Sequence, residues 1–211
     1  VRSTDIIPKL LNYCHMIQAK GLTCGSGGNI SLMCDDGVLI TPSGKSFESL
    51  SASDFVLLRE DGSYLSCNGL VPSKEWRMHL MCYKKNTVRA VVHLHSTFSV
   101  ILACSNNINK ECAIPIYTPG YGMRVGRLPL IPYATPGSQE LSTMVYSALK
   151  SHKAVLLQNH GYIVTDSSLE SAINTAEEIE EEAKLHVFLR GQGITLTGVQ
   201  QQQLGITDPI I

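Results

Sequence analysis

The sequence predicts an α/β protein, and three features carry that reading. Short β-branched runs end abruptly at glycine, proline or histidine. Two Asp-Gly pairs, Asp36-Gly37 and Asp61-Gly62, fold neighbouring runs back on themselves. Around them, apolar residues recur at helical spacing. With 211 residues, 44% hydrophobic and 17% charged, the chain suits one large domain or two small ones, and no stretch reads as a linker.

In chain order, Ile6, Ile7, Leu10, Leu11, Cys14 and Ile17 share one helical face, and Gly21 stops that helix. A glycine-rich loop, Thr23-Cys24-Gly25-Ser26-Gly27-Gly28-Asn29, feeds a strand over 30–33, which turns at Asp36-Gly37 into a second over 38–41. A further hairpin joins 55–58 to 63–66. Pro72 then opens a helix carrying Trp76, Met78, Leu80, Met81 and Tyr83, with Ser73 suited to its N-cap and Lys74 and Glu75 in the first turn. Residues 89–92 are a buried strand and 97–104 a helix. Residues 115–124 hold too much proline and glycine for one regular element. A short strand follows over 128–132, then a helix capped by Ser138 and two strands over 154–158 and 162–165. Ser167 or Ser168 caps a long last helix. Its acidic run, Glu177 to Glu182 apart from Ile179, reads as a solvated face, His79 as a packing residue, and His186 as one that packs or faces solvent. The tail over 191–211 shows no periodicity.

A net charge of −1 without a basic stripe argues against nucleic acid. The longest apolar runs are far too short to span a bilayer, and no basic-then-apolar leader opens the chain. Seven cysteines with no Cys-x-x-Cys pair argue against a disulfide framework or a zinc ribbon. They fit reduced core thiols of a cytoplasmic protein.

The chemistry gathers at Ala90-Val91-Val92-His93-Leu94-His95-Ser96. Alternate strand side chains point the same way, so His93 and His95 emerge on one face, about 7 Å apart along the strand. His160 lies in Asn159-His160-Gly161, directly after a buried strand, and is the natural third imidazole. Three histidines with an open fourth position form a catalytic zinc pattern, whereas structural sites are closed and cysteine-rich. Glu75 is either a partner for the helix dipole or, near a metal, a ligand or proton carrier. The glycine-rich loop and Pro42-Ser43-Gly44 are either ordinary turns or a cradle for a small-molecule phosphate. Neither carries a nucleotide fingerprint.

Six motifs in order give the chain a resemblance to the class II aldolase/adducin family: Gly27-Gly28-Asn29-Ile30-Ser31, Thr41-Pro42-Ser43-Gly44, Pro72-Ser73-Lys74-Glu75, His93-Leu94-His95, Pro132-Tyr133-Ala134 and Asn159-His160-Gly161. The resemblance implies one domain over 1–211, a three-layer α/β/α fold with a mostly antiparallel central sheet. It also implies a ring-shaped homotetramer with active sites between subunits. His93, His95 and His160 would bind one divalent metal per subunit, usually Zn²⁺, with Glu75 as acid/base. Gly28, Asn29, Ser43, Gly44, Ser73 and Lys74 would hold a substrate phosphate. A tyrosine crossing the subunit interface would donate a proton, and Tyr117 and Tyr121 flank the matching position, Thr118.

The leading expectation is zinc-dependent retro-aldol cleavage of a ketose 1-phosphate to dihydroxyacetone phosphate and an aldehyde, through an enediolate the metal stabilises. The alternatives are decarboxylation of a 3-oxo-tetronate 4-phosphate, 4-epimerisation of a pentulose phosphate, and a non-enzymatic binding module of the adducin kind. For the decarboxylase, Arg124 would read a carboxylate or phosphate. The three histidines and the glutamate argue against the binding module.

Overall fold

Two hairpins build one half of the sheet. The computed structural model describes residues 2–206, in which Asn29–Cys34 (β1) pairs antiparallel with Gly37–Ile40 (β2). Val56–Leu58 (β3) pairs likewise with Tyr64–Leu65 (β4), and β2 with β3. The other half is Ala90–Leu94 (β5), Leu130–Ile131 (β6), Ala154–Leu157 (β7) and Gly161–Asp166 (β8). The eight strands run β4-β3-β2-β1-β5-β8-β7-β6 and every pairing is antiparallel except β6 with β7. β5, fully buried, sits between β1 and β8.

Strand alternation sorts the core into two layers. Val92 and Leu94 pack with Ile30, Leu156 and Val164 against the helices Ser3–Ala19 (α1), Thr97–Ala103 (α3) and Leu169–Leu189 (α6). Val91 packs with Ile163, Val155 and Leu157 against Trp76–Tyr83 (α2) and Gln139–Leu149 (α5). This is a single α/β domain of three layers, as expected. His93 shares its parity with Val91, so its ring turns toward the α2 layer.

Local expectations fail in four places. α2 begins at Trp76, not at Lys74: Trp76 N–H donates to the Ser73 carbonyl at 3.0 Å, and Glu75 becomes the N-cap without a side-chain capping bond. Residues 115–124, expected to be irregular, contain the short helix Pro119–Arg124 (α4), capped by Thr118 with Pro119 at its start. The tail forms Gly198–Gln203 (α7), capped by Thr197, and buries Gln201. Leu196 N–H donates to the Ile116 carbonyl at 2.8 Å, which ties the tail to the segment before α4. Residues 207–211 lie outside the described part. The acidic run is not all solvated: Glu180 and Glu182 are buried. Of the seven free cysteines only Cys14, Cys82 and Cys112 are buried; Cys24, Cys67 and Cys104 are exposed. No described helix is long and apolar enough to cross a membrane.

Candidate metal centre

β5 delivers His93 at its end and His95 just beyond it. The β7–β8 turn delivers His160, because Asn159 adopts the left-handed conformation (φ 56°) that asparagine tolerates better than most residues. Gly161 is required beside it: a Cβ there would collide with the Leu94 carbonyl and lie 2.8 Å from the His95 ring. Gly28 (φ 75°) serves the same end just before β1, where a Cβ would sit 2.8 Å from the His93 carbonyl. Backbones packed this closely converge the three rings, with centroids 4.7 to 4.9 Å apart.

Glu75 meets them from α2. Its Oε2 lies 2.9 Å from His93 Nε2 and its Oε1 3.6 Å from His160 Nε2, while His95 Nε2 and His93 Nε2 are 2.8 Å apart. The four donor atoms fall within 4.8 Å of one another. The chemistry of the set fits a divalent metal. His93 Nδ1 is 2.8 Å from the Tyr162 carbonyl, the backing bond that fixes a ligating imidazole with Nε2 inward. Glu75 Oε1 is buried with no hydrogen-bond partner among the described residues.

Charge supports the fit. Burial pushes the Glu75 pKa up, but His93, His160 and Asn29 outweigh it and hold the carboxyl well below its usual range. Burial pushes His93 down, and the Glu75 carboxylate more than reverses that, raising it. Burial, then His93, holds His160 at about 4, and burial with both neighbouring imidazoles holds His95 at about 3. Neutral His95 and His160 and an ionised Glu75 are in the states a metal needs, and His93 would give up its proton on binding one.

The expected phosphate loops adjoin this centre. Pro42 bridges Pro72, Ser43 N–H donates to Val71 at 3.0 Å, and Ser73 N–H to Thr41 at 3.1 Å. Those two amides are therefore committed. The Ser73 hydroxyl accepts from Glu75 N–H at 3.3 Å, which leaves its own proton to donate, and Lys74 and Gly44 are exposed. Asn29 departs from its expected role: its amide is buried and donates to Glu75 Oε2 at 3.2 Å.

The remaining expected residues stand apart within one chain. Tyr121 is fully enclosed in the core and its hydroxyl has no partner among the described residues, so it cannot meet a substrate in this conformation. This corrects its assignment as a proton donor. Tyr117 is half-buried, with its hydroxyl 2.7 Å from His186 Nδ1. Arg124 is exposed, its Nε 3.7 Å from Glu178 Oε1. Sequence reasoning missed His79, which is completely buried beside Asn29, and the anchoring glutamates Glu180 and Glu182. Helical spacing signalled Glu180, four residues after Ala176 and three before Ala183 on the inward face.

A three-layer α/β/α domain with a His₃Glu cluster at the ends of its strands marks the class, and the match to the family model shows it: the chain belongs to the class II aldolase and adducin family. The family model of the Class II Aldolase and Adducin N-terminal domain matches residues 8–187. A 3-oxo-tetronate 4-phosphate decarboxylase of Haemophilus influenzae is 44% identical over 177 residues, 83% of each chain. An L-fuculose phosphate aldolase of Escherichia coli is 34% identical over 203 residues, 96% of this chain and 85% of that one. Among solved structures, YgbL of Escherichia coli superposes with a TM-score of 0.90 at 34% identity, covering 96% of this chain and 98% of that one. These curated relatives are enzymes, and the decarboxylases match more strongly than the aldolases. That reverses the order expected from the motifs.

Proposed function

We propose that this chain is a divalent-metal-dependent decarboxylase of a 3-oxo-tetronate 4-phosphate. The convergence of Glu75 with His93, His95 and His160 carries the reading, and the 44% identity to a decarboxylase directs it. A divalent metal, Zn²⁺ in the first instance, would be held by His93, His95 and His160 and would supply Lewis acidity for the charge that develops as carbon dioxide leaves. As the C1–C2 bond breaks, carbon dioxide leaves and the electron pair passes to the enediolate spanning C2 and C3. One proton then adds at C2 and gives dihydroxyacetone phosphate.

Glu75 is the group placed to carry that proton. Beside the three histidines, it takes one up from solution in each turnover and passes it to C2. The Ser43 and Ser73 hydroxyls, the Gly28 and Gly44 backbone and the Lys74 ammonium hold the phosphate. Lys74 is a point charge on an exposed stem. The proposal includes a homotetramer. Arg124 and Tyr117 lie apart from the cluster in their own chain, so they serve a site only across a subunit boundary.

Aldol cleavage yields the same ketone phosphate, so the test must read the other product. Zinc-loaded protein supplied with 3-oxo-tetronate 4-phosphate is expected to release carbon dioxide and dihydroxyacetone phosphate in equal amounts. Activity only on ketose 1-phosphates, with an aldehyde as the second product, would replace this reading with the aldolase.

A further inference from the structure

His79 joins a file of hydrogen bonds that leads to Glu75 from inside the protein. Tyr83 OH is 2.8 Å from Ser31 Oγ, and Ser31 Oγ is 2.7 Å from His79 Nδ1. On the other side of the ring, His79 Nε2 is 2.5 Å from Asn29 Oδ1, and Asn29 Nδ2 is 3.2 Å from Glu75 Oε2. His79, Asn29, Ser31 and Tyr83 are all buried, so no solvent exchange competes with these partners.

The direction of every bond follows from the carboxylate end. A carboxylate only accepts, so Asn29 must turn its NH₂ to Glu75 and its carbonyl oxygen to His79. That oxygen needs a donor, so His79 carries its proton on Nε2. The ring is fully buried and its two nitrogens meet only the neutral groups Asn29 Oδ1 and Ser31 Oγ, so it is neutral and Nδ1 accepts. Ser31 therefore donates to His79 and accepts from Tyr83.

We propose that His79 is a positioning residue for the acid/base. Locked as the Nε2–H tautomer by Ser31 and Tyr83, it fixes the Asn29 amide so that Nδ2 donates to Glu75 Oε2. All donors in the file point the same way, so each bond polarises the next and the carboxylate is held in a single orientation. This inference rests on the reading of Glu75 as the proton carrier. It explains why a histidine whose ring bonds only to Asn29 and Ser31 is buried beneath the site.

The first test needs neither metal nor substrate. Long-range ¹H–¹⁵N correlation spectra of the metal-free protein are expected to show His79 as the neutral Nε2–H tautomer from about pH 6 to about pH 8. An Nδ1–H tautomer or an imidazolium would overturn the inference, whatever the protein's activity. The second test compares His79→Gln, which keeps a donor toward Asn29, with His79→Leu, which removes it. With matched metal content, His79→Leu is expected to lose about 10–100-fold in kcat with little change in KM, and His79→Gln to recover most of it. Equal kcat in both folded variants, with only their melting temperatures lowered, would reduce His79 to a packing residue. Absence of carbon dioxide release by the wild type would sink the proposed activity alone, since the tautomer is read separately.

Discussion

Three buried glutamates divide into two kinds, and what satisfies each one tells them apart. Glu180 accepts from Phe98 N–H, Ser99 N–H and the Ser99 hydroxyl at 2.7 to 2.9 Å, and so anchors the start of α3 just beyond His95. Glu182 accepts from Tyr117 N–H, Thr118 N–H and the Thr118 hydroxyl and holds the segment that enters α4. Both are saturated by fixed donors. Glu75 faces imidazoles instead, and its Oε1 has no hydrogen bond among the described residues. A carboxylate saturated by backbone donors is an anchor, whereas one left under-satisfied among metal-binding groups is available for chemistry.

The comparison breaks most visibly in activity. Glu75→Gln is expected to cut carbon dioxide release about 10²–10⁴-fold while leaving the melting temperature near wild type. Glu180→Gln producing an equal loss of turnover would erase the distinction. Metal loading comes next: at a free ion concentration of 100 times Kd, the ion adds about 2.7 kcal/mol of stability. A thermal melt with and without chelator reads this, and Glu180→Gln is expected to keep the increment. Truncating the anchor is a stability experiment: Glu180→Ala orphans two backbone N–H groups and is expected to cost about 2 kcal/mol in denaturant titration.

The smallest effect concerns a fourth carboxylate, Asp54, which lies outside the metal cluster. It accepts from Ser51 N–H and Oγ and lies 2.9 Å from Lys45 Nζ. Burial raises its pKa, but Lys45, Ser51 and Asn68 outweigh that and hold it well below the usual range. A depressed folded pKa contributes stability that is full above the unfolded value of about 4 and is lost as pH falls through the folded value. Asp54→Asn is therefore expected to cost about 1 kcal/mol at neutral pH, the gap to wild type closing as the medium is acidified. An unchanged gap at low pH would remove the electrostatic explanation.

Period and punctuation made much of the fold legible in advance. The two Asp-Gly hairpins, the β5 run and the helix capped by Ser138 needed only local chemistry, and they lie where periodicity put them. The histidines were legible for a similar reason: period 2 carries His93 and His95 to one edge, and His160 follows a buried strand. Reading failed where a distant donor or acceptor decides. The helix over 119–124 is held by Glu182, some 60 residues away in sequence. The choice between decarboxylation and aldol cleavage was not legible either, because the chain carries local patterns similar to each kind of enzyme.

By itself the sequence determined the strands, the hairpin turns and the longer helices, the three imidazoles, and a resemblance strong enough to name the family. Periodicity and turn chemistry are local, so they survive in one dimension. Only the tertiary structure decided that Glu75 ends at the N-cap with its carboxylate turned to the histidines, and that Tyr121 is enclosed. The same holds for Glu180 and Glu182 as anchors and for His79 backing Asn29. Each of these depends on which donor the fold brings opposite which acceptor, and that pairing exists only once the layers are packed.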